Sequence, residues 1–357
     1  MPQGIKYPRL ISQTKEKLNI SNTEILDYIE RVISNYEPAD NAWAGAISAQ
    51  YFLLCLAKEQ ERDTLFLEEL LNACLSSFRV TCNHGLVLDP GRILITPEET
   101  NKIIECMKEE DESDRFYSRS SKLRADNINS ETMYLNFHYG LLVRILANGK
   151  DQIMQAILSS CLENLFEKNS LDSSGGWYPY RVPWITARIL ISLKYIEDAL
   201  DEKQKSYSAY AIKTLVRRIK KDDNGFYFWK SGVGTWVSVL ESTALCLEAI
   251  YEWGITDETA EKVRGVLRFC INELNKDHKI CLSDETSSND TLSIVILASV
   301  ALRVSGSHFN EYYDSIKELA YPIFANVMSI ICESQPIRPK QYCTIPQILY
   351  YIYKAVC

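Results

Sequence analysis

Histidine is scarce, with four in 357 residues, so a histidine-rich metal centre is not expected. No pair of cysteines has the Cys-x-x-Cys spacing of zinc or redox sites. The 11 cysteines are odd in number and scattered, and Cys74, Cys161 and Cys270 fall on apolar helix faces. They read as small buried hydrophobes in a reducing compartment. A net basic charge is also lacking. The formal net charge of −8 argues against a nucleic-acid partner, which would require phosphate neutralisation. The longest apolar run, Ile294 to Leu302, is too short for a transmembrane segment. Met1 to Leu18 mixes Lys, Arg and Glu and lacks the apolar stretch of a signal peptide. A cytoplasmic location is the expectation.

What remains is a globular composition. Hydrophobic residues make up 46% and charged residues 24%, enough apolar content for a large core. Apolar residues recur at helical spacing in six stripes with one polar side. These include Ile25 to Tyr36, Leu67 to Phe78, Ile153 to Leu165, Tyr207 to Leu215, Ala260 to Leu274 and Tyr312 to Val327. Between them lie segments that are apolar nearly all round: Ala42 to Ala57, Glu131 to Ala147, Pro183 to Ile196, Trp236 to Tyr251, Asp290 to Val304 and Thr344 to Val356. A helix apolar on every face must be surrounded by protein. The chain is therefore expected to alternate half-wet and buried helices.

The buried segments are evenly spaced. Asn136 to Trp184 is 48 residues, Trp184 to Trp236 is 52, and Trp236 to Asn289 is 53. Trp43 to Asn136 is 93, almost two periods. Such a period marks a repeated supersecondary unit. The expectation is an all-α fold: an α/α toroid of six helical hairpins, in two concentric helix rings, formed by residues 1–357 as a single domain. An open solenoid is the alternative. Residues 79–130 break the period. Their Pro90-Gly91 turn and charged run Lys108 to Arg115 read as an insertion on the ring surface.

The segments leading into the buried helices share a pattern. Gly175-Gly176-Trp177-Tyr178-Pro179-Tyr180 precedes Val182-Pro183-Trp184-Ile185-Thr186-Ala187. Asp223-Asn224-Gly225-Phe226-Tyr227-Phe228-Trp229 precedes Thr235-Trp236-Val237 and Glu241-Ser242-Thr243-Ala244-Leu245. Ser287-Ser288-Asn289-Asp290-Thr291 opens a third. This pattern resembles the terpenoid cyclase and protein prenyltransferase superfamily of α/α toroids, over about Asn136 to Leu302. The resemblance implies a squalene-cyclase-like ring with a central cavity and an isoprenoid or similar lipid as ligand.

Class II terpene cyclases protonate an alkene with an Asp-x-Asp-Asp motif at an inner-helix start. The matching stretch here keeps only Asp290, and Asn289 is an amide that cannot donate such a proton. Glu241, on the neighbouring inner helix, is the other catalytic candidate. Trp177, Tyr180, Trp184, Trp229, Trp236 and His138 lie at or near inner-helix starts and are candidates for substrate binding. Aromatic faces suit long apolar chains and cations, although Trp residues in repeats also wedge helices together. No cofactor is expected, apart from magnesium if a diphosphate binds. Two readings stand: an enzyme acting on an isoprenoid-like lipid, or a non-catalytic toroid that binds a lipid, peptide or protein partner.

Overall fold

A computed structural model describes residues 182–231, 237–282, 285–333 and 344–356, with a few positions between 158 and 177. The helices expected before residue 158, the insertion at 79–130, and His138, Tyr180 and Trp236 lie outside the described residues. The described chain is mostly helical. Its helices are α1 (Pro183–Tyr195), α2 (Glu202–Arg217), α3 (Val239–Trp253), α4 (Asp257–Leu274), α5 (Glu285–His308), α6 (Asn310–Glu333) and α7 (Ile345–Val356). A short 3-10 turn, Glu197–Ala199, links α1 to α2, and a two-stranded hairpin, β1 (Lys220–Lys221) and β2 (Tyr227–Phe228), precedes α3.

Local chemistry sets these boundaries. Pro183 opens α1, where its missing N–H costs no helical hydrogen bond. Asp201 caps α2 by accepting from Gln204 N at 2.8 Å, while Gln204 Oε1 accepts from Asp201 N at 3.0 Å. Ser238 Oγ accepts from Glu241 N at 3.1 Å and so starts α3. Gly254 ends α3 at a φ of 100°, a backbone conformation that favours glycine.

The helices form two layers. α3 packs between α1 and α5, and α7 lies against the other side of α5. α2 lies over α1 and α3, α4 packs against α5 and α6, and α6 packs against α5. The inner layer is therefore α1, α3, α5 and α7. Paired contacts show that α3 and α5 run parallel: Glu248 meets Arg303, and Tyr251, further along α3, meets Ser307, further along α5.

Core residues are concentrated on the inner helices. Ile185, Ile189, Leu190 and Leu193 of α1, Leu245 and Leu247 of α3, and Val295 and Leu297 of α5 are all buried. Outer helices bury one side only, as with Ala211 and Leu215 of α2, which is the amphipathic pattern expected. The inner-to-outer links are short, only Gly254 to Thr256 after α3 and Phe309 after α5. The link from α2 to α3 is longer and holds the hairpin and Trp229.

Two boundaries differ from expectation. α5 begins at Glu285, so Asn289 and Asp290 lie within the helix and do not cap it. The span Asp290–His308 is also longer than the apolar run anticipated: its 19 residues are long and apolar enough to cross a membrane by length and composition alone. In the structure, 78% of that apolar window is buried, with α3, α6 and α7 packed against the helix.

Candidate functional site

The same anchor recurs at three inner-helix starts. Trp177 N donates to Thr186 Oγ1 at 3.2 Å, Trp229 N to Thr243 Oγ1 at 3.1 Å, and Cys281 N to Thr291 Oγ1 at 3.1 Å. Each threonine lies in the opening turns of its inner helix and fixes the arriving chain. In the first two repeats the indole then enters the core. Trp177 Nε1 donates to Leu165 O and Trp229 Nε1 to Leu215 O, each at 2.8 Å. Trp177 also packs edge-on against Phe166 and Tyr207, with ring centroids 5.8 and 5.5 Å away. Trp177 and Trp229 are thus committed to packing, and Trp184 is buried near the start of α1.

Glycines let the first arm approach closely. Gly176 has a φ of 116°, and a Cβ there would sit 2.5 Å from Thr186 Oγ1. Its N–H donates to the Tyr207 hydroxyl at 3.1 Å. An alanine at Gly176 would collide with the threonine anchor itself.

Charged groups on the inner helices occupy two levels. The first is at the start of α3. Because Ser238 caps that helix, Glu241 falls in its first turn, where the side chain reaches α1. Arg188 Nη2 donates to Glu241 Oε1 at 3.5 Å, and the two side chains keep only 10% and 14% of their surface accessible. Ser293 of α5 also hydrogen-bonds the Glu241 carboxylate. Three neighbouring inner helices therefore meet at one carboxyl group. Burial pushes its pKa above the ordinary 4.5, and the opposing pull of Arg188 and Ser293 does not cancel that effect.

The second level lies two turns along α3, about 10 Å away at 1.5 Å per residue. Arg303 Nη1 donates to Glu248 Oε1 at 2.8 Å, and Nη2 donates to Glu252 Oε1 at 2.7 Å. The Tyr351 hydroxyl donates to Glu248 Oε2 at 3.1 Å, which ties in α7. The Arg303 guanidinium also sits 5.4 Å from the centroid of the Tyr251 ring. Burial opposes the Arg303 charge, but Glu248 and then Glu252 outweigh it and hold the guanidinium above its ordinary pKa. Burial, reinforced by Glu248, pushes the Tyr351 hydroxyl well above the usual phenol value.

The two catalytic candidates are therefore placed differently. Glu241 is enclosed and paired, whereas Asp290 is exposed on the second turn of α5, one turn before Ser293. Arg188, Ser293 and the cluster around Arg303 were not anticipated as site residues. Their signal is visible in retrospect, since Arg188, Glu248 and Arg303 are charges set within otherwise apolar helices. Among the described residues, no group of three His, Cys, Asp or Glu side chains converges as a metal site would require. Cys281 of the third anchor is half-buried, and the His278 ring lies 2.6 Å from Glu273 O. No protein-family model, curated protein or solved structure matches the chain.

The raised pKa of Glu241 has a thermodynamic consequence. The folded state holds this proton more tightly than the unfolded state does. Glu241 therefore favours folding most in acid, below its ordinary 4.5, and that contribution is lost as pH rises through the folded value. Denaturant unfolding across a pH series should show the stability of the native protein relative to Glu241→Gln falling as pH rises from 4.5. A difference that is flat, or that rises with pH, would mean that Arg188 and Ser293 dominate burial.

Proposed function

We propose that these helices belong to an α/α toroid of six hairpins, and that the Arg188–Glu241–Ser293 corner is its reactive centre, acting on an isoprenoid or similar lipid. The observation that carries this reading is Glu241 itself: a carboxyl group kept from water, raised in pKa and 3.5 Å from a guanidinium. Such a group holds its proton to higher pH than an ordinary carboxyl group and can deliver it, while Arg188 orients an anionic group or the carboxylate left behind. The isoprenoid class comes from the resemblance of the arms entering the inner helices. Magnesium enters only with a diphosphate ligand. Asp290, exposed and lacking its motif partners, is not the acid in this reading.

A second reading is favoured by a different observation. Trp177 and Trp229 are fully buried and give their indole N–H groups to backbone carbonyls, which favours a packing role for both. A non-catalytic toroid that binds a lipid, peptide or protein is consistent with that arrangement. Incubation with linear isoprenoids and their diphosphates, with and without magnesium, separates the two. On the first reading, product forms, survives in Asp290→Asn and disappears in Glu241→Gln. Saturable binding without turnover supports the second. Product that disappears in Asp290→Asn but persists in Glu241→Gln rejects the assignment of Glu241.

A further inference from the structure

The outer side of α2 has a charge pattern opposite to that of the whole chain. Residues 203–221 hold seven Lys and Arg and no Asp or Glu, in a chain of net charge −8. Lys203, Ser206, Tyr210, Lys213 and Arg217 follow one another at alternating intervals of three and four residues, so they share a ridge of α2. All five are exposed, and Tyr210 stands in the middle at 40% exposure. The ridge spans about 21 Å at 1.5 Å per residue. Lys220 and Lys221 of β1 extend it and are also exposed.

These charges make no ion pair among the described residues, and the Lys221 Nζ lies 5.5 Å from the centroid of the Tyr227 ring. The described ion pair of this helix joins Lys205, off the ridge, to Glu202 at 3.5 Å. Lys203, Lys213, Arg217, Lys220 and Lys221 form no ion pair among the described residues. The nearest acids in sequence lie beyond the two ends: Glu202 pairs with Lys205, Asp201 caps the helix, and Asp222 accepts from Asn224 N and Phe226 N in the hairpin turn. The opposite side of α2, including Ala211 and Leu215, is buried, so the ridge points outward.

We propose that this ridge docks the protein onto an anionic lipid surface. A helix ridge is convex and suits a flat, fluid array of phosphates better than it suits a peptide, which needs a groove or a strand edge. Its cations are mainly lysines, point charges on flexible stems that need no fixed partner geometry. Tyr210 has the apolar body and polar tip favoured at a lipid–water boundary. One exposed aromatic on a straight ridge gives single-stranded nucleic acid little to stack on. The inference is independent of Glu241.

The test is co-sedimentation of the full chain with vesicles of phosphatidylcholine, with or without added phosphatidylserine. Binding is expected only when phosphatidylserine is present, and should fall as salt is added. Lys213→Gln, Arg217→Gln and Lys220→Gln together should weaken it roughly tenfold or more, while Lys213→Arg with Lys220→Arg keeps it. All these positions are exposed, so an unchanged melting transition verifies folding. Equal binding to neutral vesicles, no binding to either, or undiminished binding by the triple variant each overturns the proposal. So does displacement of phosphatidylserine vesicles by RNA or an acidic peptide at lower charge concentration, which would assign the ridge to that partner.

Discussion

Trp229→Ala is expected to destabilise the protein by about 3–5 kcal/mol, the range for removing a fully buried Trp or Phe. The ring is completely inaccessible, and its loss leaves a cavity between the hairpin arm and α2. A second cost comes from the same deletion. The Leu215 carbonyl, near the C-terminal end of α2, loses its indole donor at 2.8 Å and keeps the Arg218 N–H at 3.1 Å. Trp229→Phe also loses the N–H but keeps part of the ring volume, and it should cost clearly less. Urea unfolding at neutral pH measures both variants. The expected pattern is a large loss of stability with ligand affinity retained by the protein that remains folded. A loss below about 1 kcal/mol, well short of the large-to-small range, accompanied by a specific loss of ligand binding, would return Trp229 to the role of ligand contact.

That comparison shows where sequence reasoning reached and where it stopped. Periodicity located every described helix, because one-sided and all-round apolar patterns follow directly from how much of a helix is covered. It could not separate two uses of Trp. An indole serves equally to line a cavity or to fill a seam, and both uses favour the start of an inner helix. The deciding feature was present but unread: Thr186, Thr243 and Thr291, in the opening turns of their inner helices, each anchor the arriving backbone. The apolar pattern of α5 starts at Asp290, and Asn and Asp favour helix caps when considered alone, whereas the helix already begins at Glu285. The Asp223-Asn224-Gly225 turn was visible as residue types, but the two-residue strands it joins are too short to show alternation. In the candidate site, Glu241 was found through its place beside the expected acid motif. Arg188 and Arg303 were missed because apolar periodicity attends to the residues that agree with it, while the informative ones in a buried helix are those that do not.

Arg303→Met is expected to cost about 3–5 kcal/mol, the penalty for breaking a buried ion pair on one side. The guanidinium lies between Glu248, whose side chain is only 4% accessible, and Glu252, which is 35% accessible. Without it Glu252 can recover water, but Glu248 cannot. Its carboxylate would keep only the Tyr351 hydroxyl at 3.1 Å, so most of the penalty falls on that one charge. This makes a rescue predictable. Adding Glu248→Gln removes the stranded charge, keeps an oxygen for Tyr351, and should recover more than half of the loss. The two substitutions are then strongly non-additive, as partners in one network should be. The network also joins α7 to α5, since Ser299 Oγ donates to Tyr351 O at 2.6 Å beside it. Hydrogen exchange in Ile345–Val356 should therefore accelerate in Arg303→Met and slow again in the double variant. If the single variant costs under about 1 kcal/mol, as exposed pairs do, or if the two losses simply add, Glu248 is better hydrated than its 4% accessibility implies. The second level of charge would then be a surface feature and not a clamp on the inner helices.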